Sequence, residues 1–333
     1  MSDTLTELKK NAINKLLNNY NVNASKVKRY YSSLINIVSR SKYSIAYKKY
    51  VINLIINYMN NNINALINKL NKDVSSIQKL SYNIIKPGEN KNALVIGINY
   101  IGTENQLEGC INDANSICLL LTSAGFQNIK LLTDNTSEKP TKNIIINEFT
   151  NLLLNTNGGD VIFFFYSGHG SYTQDHNNEE ATGYDQMILP CDLNYIVDDE
   201  LKSIIDKNLK NNVTLICIFD SCFSGSVLDL KYQYLDTLND NIFTENNSQT
   251  DTTGNVIMIS GCSDLQTSVD AKINEKNQGA LTWAFLETFN TQNNLTWKQL
   301  LEGMRTSLKN NNFQQIPQIS SGKFIDINTK VFI

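Results

Sequence analysis

Histidine is almost absent from this chain: among 333 residues there are two. Proline is nearly as scarce at 4 and tryptophan numbers 2. The six cysteines, Cys110, Cys118, Cys191, Cys217, Cys222 and Cys262, include no CxxC pair. The absence of clustered Cys and His argues against a zinc site, and thiols spaced this way read as reduced rather than bridged. No run approaches the roughly 20 apolar residues that span a bilayer, and the opening "MSDTLTELKK" lacks the apolar region of a signal peptide. The expectation is a cytoplasmic protein with no membrane partner. With 41% hydrophobic residues the chain can bury a substantial core, enough for one large domain and an appendage.

What is present is unevenly spread. Residues 1–90 hold 14 Lys and Arg against 4 Asp and Glu, which leaves 15 against 28 for the remainder. The composition shifts at "KPGEN", Lys86 to Asn90, where Pro87 and Gly88 interrupt a helical pattern. We therefore expect a basic helical segment over 1–90 and a separate domain over 91–333. A basic tract can bind nucleic acid, but no recognition motif accompanies it. Docking on the acidic domain of the same chain is the more economical reading, with no nucleic-acid partner.

After the boundary, strand and helix patterns alternate. "ALVIGIN", "IKLL", "VIFFFY", "TLICIF" and "VIMIS" are short apolar runs bounded by turn residues, with amphipathic segments between them. That alternation predicts an α/β fold with a parallel sheet covered on both faces. A helix pair near Ala280 to Phe289 and Trp297 to Leu308, then a strand around Ile316 to Ile319, close the pattern.

Two of these runs end on reactive side chains. "VIFFFYSGHG" presents His169 between Gly168 and Gly170 just past a strand, the edge where ligands bind in open α/β sheets. "CIFDSCFSGS" ends another strand and presents Cys222 among small residues, whereas Cys217 lies within the strand itself. Neighbouring parallel strands lie about 4.8 Å apart. His169 can then serve Cys222 as proton-handling partner despite their separation in sequence. A turn histidine and a buried structural cysteine are the plain alternatives.

"YSGHG" and "DSCFSG", together with "LEGCINDA" upstream and "SGCSDLQTS" downstream, resemble the metacaspases, caspase-like cysteine peptidases. The resemblance covers about residues 91–333. It implies a caspase-hemoglobinase fold, a six-stranded, mostly parallel sheet between helices, with a large-subunit-like region to about 235 and a small-subunit-like region from about 255. The short interval from Lys231 to Gly254 resembles the type I members. Phe223 stands where the family often has His. The resemblance further implies that His169 and Cys222 form the dyad and that the Gly170 amide joins that of Cys222 in stabilising the oxyanion. Cys110, Asp113, Ser167 and Asp220 would line the pocket for the residue before the cut bond. Acidic groups there suit Arg or Lys in a protein or peptide substrate, since a lone carboxylate would otherwise raise the neighbouring thiol pKa. Asp113 also reads as a helix cap.

Asp185, Asp198, Asp199 and Asp229 match the family's calcium positions, and calcium takes six to eight oxygen ligands. "VDDEL" equally reads as a helix start with acids at its positive end. "DHNNEE" is no EF-hand loop, because Glu180 stands where glycine is required. His176 within it reads as solvent-exposed. The expected protein is a monomeric, calcium-dependent endopeptidase whose amino-terminal segment is a prosegment and a substrate of its own cleft. A non-proteolytic interaction protein and an Asp-specific caspase-like protease are the alternatives.

Overall fold

The computed structural model describes residues 2–79, 90–174, 184–221, 227–236, 242–246, 249–261, 270–273, 276–291 and 294–331. The chain divides into two compact units, Met1–Tyr82 and Asn83–Ile333. In the first, Ser2–Arg40 forms helix α1 and Ile45–Lys79 forms helix α2. Apolar residues at helical spacing within stretches free of proline and glycine allow such long helices. The turn between them is tied by the Ser41 amide to the Val38 carbonyl and by Lys48 Nζ to the Ser39 carbonyl. No helix among the described residues is long and apolar enough to cross a membrane.

The second unit opens with β1 (Lys91–Gly97), α3 (Cys110–Ser123), β2 (Asn128–Thr133), α4 (Lys142–Leu154) and β3 (Val161–Ser167). A small sheet follows, β4 (Gly170–Gln174), β5 (Tyr184–Ile188) and β6 (Ile196–Val197), then α5 (Asp198–Asn208) and β7 (Thr214–Asp220). Next come β8 (Tyr232–Asp236), β9 (Ile242–Glu245), β10 (Asn255–Ser260), and the hairpin β11 (Asp270–Ile273) with β12 (Lys276–Gly279). Helices α6 (Ala280–Thr291) and α7 (Trp297–Asn310) and strand β13 (Gln318–Ser321) complete it.

The main sheet runs β2-β1-β3-β7-β10-β13-β8-β9. Its first five strands pair in parallel, and β13, β8 and β9 are antiparallel. Six strands were expected and eight are present. The additional two form a hairpin within the 231–254 interval, which carried too few apolar residues to read as strand. Every residue of β3, β7 and β10 is buried, which is why their sequences are unbroken apolar runs rather than alternating ones. On one face Leu94, Phe164, Leu215 and Met258 pack with Ile145 and Phe149 of α4 and Leu201 and Ile205 of α5. Burial of each such side chain contributes about 1.5–3 kcal/mol.

Helix α3 lies against β1 and β3, and Gly97 is what allows it so close. A Cβ at Gly97 would fall 2.3 Å from the Cys110 carbonyl oxygen and 2.7 Å from the Ala114 Cβ. That close approach sets Asp113, one turn along the helix, over the ends of the strands.

Candidate active site

Three parallel strands end on one line. Gly97, Ser167 and Asp220 are register partners across β1, β3 and β7. His169 lies two residues past Ser167, and Cys222 lies two residues past Asp220. Ser167 and Asp220 thus end neighbouring strands in equal register at one edge, and the Gly168 amide approaches the Asp220 carbonyl at 3.4 Å. Cys222 itself, like His176 and Cys262, falls outside the described residues.

His169 is held by two buried tyrosines that the sequence reading missed. Its backbone amide donates to the Tyr100 hydroxyl at 2.9 Å, and its carbonyl lies 2.8 Å from the Tyr166 hydroxyl. Tyr100 donates to the Leu189 carbonyl at 2.6 Å, and the Leu189 amide donates to the Tyr166 hydroxyl at 3.2 Å. Burial pushes both phenols well above their ordinary range, so they remain protonated. The imidazole leans on the Tyr100 ring with centroids 4.6 Å apart, and Nε2 sits 2.7 Å from the Asn105 carbonyl. A carbonyl only accepts, so this hydrogen bond takes the tautomer with its proton on Nε2. Tyr100 takes a left-handed φ of 52°, a strain of the kind that gathers at functional sites. Gly170 opens β4 directly after the histidine.

The expected pocket residues converge. Asp113 is 1% exposed and Asp220 4% exposed. Asp113 accepts the Ser167 hydroxyl at 2.9 Å and the Gly279 amide at 2.9 Å. Asp220 accepts both the amide and the hydroxyl of Thr282, at 2.8 and 2.7 Å. Capping does not account for Asp113: the residue preceding α3 is Gly109, and the Asp113 carboxylate turns away to β3 and β12. Cys110 is buried at the start of α3. Gly279 and Thr282 were not legible as site residues, since "GALTW" carries no reactive group. Among the other cysteines, burial pushes the Cys118 thiol up to about 11 and raises Cys217 further. Cys191 is raised by burial and by Asp192. None of these three has the lowered pKa of an activated thiol.

Asp198, Asp199 and Asp229 bring carboxylate oxygens within 4.8 Å of one another. Asp198, 1% exposed, accepts the Gln186 amide of β5 at 2.6 Å and the Asp199 amide at 2.9 Å. Val197 precedes α5 and supplies no side-chain cap, so Asp198 serves a tertiary contact beyond helix starting. Asp229 adopts φ 42°, in the left-handed region. Asp185, on β5 opposite Thr173, is not one of the three that converge. Hard carboxylate oxygens gathered in one largely buried place suit a hard divalent cation such as calcium.

A parallel α/β sheet with a glycine-flanked histidine at its edge, beside a strand leading to a cysteine, is the scaffold of a caspase-like cysteine peptidase. The chain belongs to the metacaspase family. Residues 91–231 match the family described as "Metacaspase, peptidase C14 domain". Metacaspase-1 of Schizosaccharomyces pombe is 34% identical over 292 residues, covering 72% of this chain and 68% of that protein. Metacaspase-1 of Scheffersomyces stipitis is 35% identical over 291 residues, covering 72% of each. A solved protein from Geobacter sulfurreducens shares the fold, with a TM-score of 0.56 at 23% identity, over 73% of this chain and 98% of its own. The caspase-hemoglobinase fold and cysteine endopeptidase chemistry follow from that membership.

Proposed function

We propose that this chain is a calcium-dependent endopeptidase that cuts after Arg or Lys, with Cys222 as nucleophile and His169 as acid and base. The observation that carries the specificity is the pair of buried carboxylates, Asp113 and Asp220, gathered around Ser167 and Gly279 at the strand edge two residues before His169. A guanidinium or ammonium entering there would form charge-assisted bonds and offset the cost of two neighbouring negative charges. An aspartate side chain would meet repulsion, which disfavours the Asp-specific alternative.

In the cleavage step His169 takes the thiol proton of Cys222, and the sulfur bonds to the peptide carbonyl carbon as the carbonyl π pair moves onto oxygen. The developing oxyanion is met by the amides of Gly170 and Cys222, each such donor lowering the barrier by about 3 kcal/mol. His169 then gives that proton to the departing nitrogen as the C–N bond breaks; in deacylation it takes a proton from water, whose oxygen bonds to the acyl carbon, and returns it to the sulfur as the C–S bond breaks. The Asn105 carbonyl on Nε2 and the Tyr100 ring orient the imidazole for both transfers. Profiling the protein on a peptide library with and without calcium tests this reading. Preference for Arg and Lys before the cut supports it; preference for Asp, or no cleavage, overturns it.

Asp198, Asp199 and Asp229 would hold the calcium, with Asp185 as a fourth candidate. A bound cation supplies charge neutralisation that lets the segments carrying these residues pack together. Asp198→Ala with Asp199→Ala removes two hard ligands, so activation by millimolar calcium should be largely lost. A titration of peptide cleavage against calcium checks this; undiminished activation would leave the aspartates as packing residues only.

Residues 1–86 are proposed to be a prosegment. Residues 1–90, about +10 and tethered to a remainder of about −13, have a high effective concentration near an acidic cleft. Lys48, Lys49 and Lys86 are candidate cut sites, whereas 232–271 contains no Lys or Arg. Mass spectrometry after calcium addition should find cleavage before residue 90 in wild type and none in Cys222→Ala. An intact amino terminus in a fully active enzyme would rule the prosegment out.

A further inference from the structure

Helix α6 begins at Ala280, immediately after Gly279, so Gly279 occupies the position from which a side chain ordinarily caps a helix. Such a cap accepts the amide of the second or third helical residue. Glycine has no side chain to do so, yet the third amide, that of Thr282, is taken at 2.8 Å by Asp220 Oδ2, which comes from β7. The Thr282 hydroxyl adds a second donor to the same oxygen at 2.7 Å. A Cβ at Gly279 would lie 2.1 Å from Asp220 Oδ2 and 2.9 Å from Asp113 Oδ2. The space a cap side chain would need is filled by the pocket carboxylates. The φ of Gly279 is not left-handed, so close approach, not backbone conformation, is what demands glycine there.

We propose that Asp220 caps helix α6 in place of residue 279, and that Gly279 and Thr282 are positioning residues that fix this carboxylate for a substrate cation. The pocket assignment rests on the function proposed above; the capping assignment does not. The positive end of the helix and the Thr282 hydroxyl both favour the ionised carboxylate in a buried place. They also fix its orientation, so the substrate meets an acceptor that needs no rearrangement.

The first test is thermal unfolding of the full chain. With Asp220 present, Gly279→Ser and Gly279→Ala should lower the midpoint alike, because either Cβ meets the carboxylate. In the Asp220→Ala background the same position becomes a free cap, and Ser should exceed Ala by about 2–4 °C. A Ser–Ala difference that is equal in the two backgrounds would overturn the capping assignment.

The second test is kinetic. Thr282→Val keeps the amide and loses the hydroxyl, so kcat/KM on Arg peptides should fall about ten- to a hundredfold, mainly through KM. Thr282→Ser should restore it. Alkylation of the catalytic thiol by iodoacetamide, which needs no cation pocket, should keep its rate. Unchanged turnover, or alkylation and turnover falling together, would overturn the positioning role. If wild type cleaves neither Arg nor Lys peptides while the Ser–Ala difference appears as expected, the proposed specificity fails and the capping stands.

Discussion

Cys222→Ala should abolish peptide cleavage while leaving a folded protein. Without the sulfur no acyl-enzyme bond can form, so turnover should drop at least about a thousandfold. β7 ends at Asp220, so removing one small side chain two residues later leaves that buried strand intact. The measurement is cleavage of an Arg peptide beside a thermal melt. Substantial turnover by a folded variant would sink the mechanism. Neither Cys118 nor Cys217 is suited to substitute, because burial keeps both as thiols.

Asp220→Ala should be nearly as severe for Arg and Lys substrates, through a different cause. Removing one partner of a buried charge pair costs about 2–5 kcal/mol, a loss of roughly thirty- to several thousandfold in kcat/KM. The thiol chemistry should survive, and a negative charge near the nucleophile is removed, so reaction with a neutral alkylating agent should be no slower. Comparing kcat/KM with the alkylation rate separates the two effects. A parallel collapse of both would mean that Asp220 holds the strand end rather than the substrate.

The relation between these two residues was partly legible before any coordinates. The apolar runs before "SGHG" and "DSC" announce buried strands, because burial on both faces leaves no alternation to misread. Helix α5 starts at Asp198, where "VDDEL" allowed a helix start or a metal site. Its first turn is acidic, and three of those residues carry no apolar periodicity. The hairpin of β8 and β9 was missed for a related reason: segment 231–254 offers few apolar residues, and its strands are recognised only by the edge of β13 that they extend.

By itself the sequence determined the family, the parallel α/β character and the opposition of charge between the two ends of the chain. These are properties of local runs and of composition. Only the tertiary structure decided that Ser167 pairs with Asp220, so that both strands end at one edge. It likewise brought Gly279 and Thr282 to carboxylates 166 and 62 residues away in sequence, and set Tyr100 and Tyr166 around the histidine backbone. Buried polar groups must find partners wherever the sheet order brings them. Strand order and register are set by the packing of the whole domain, and hydrophobic periodicity, a local signal, does not encode them.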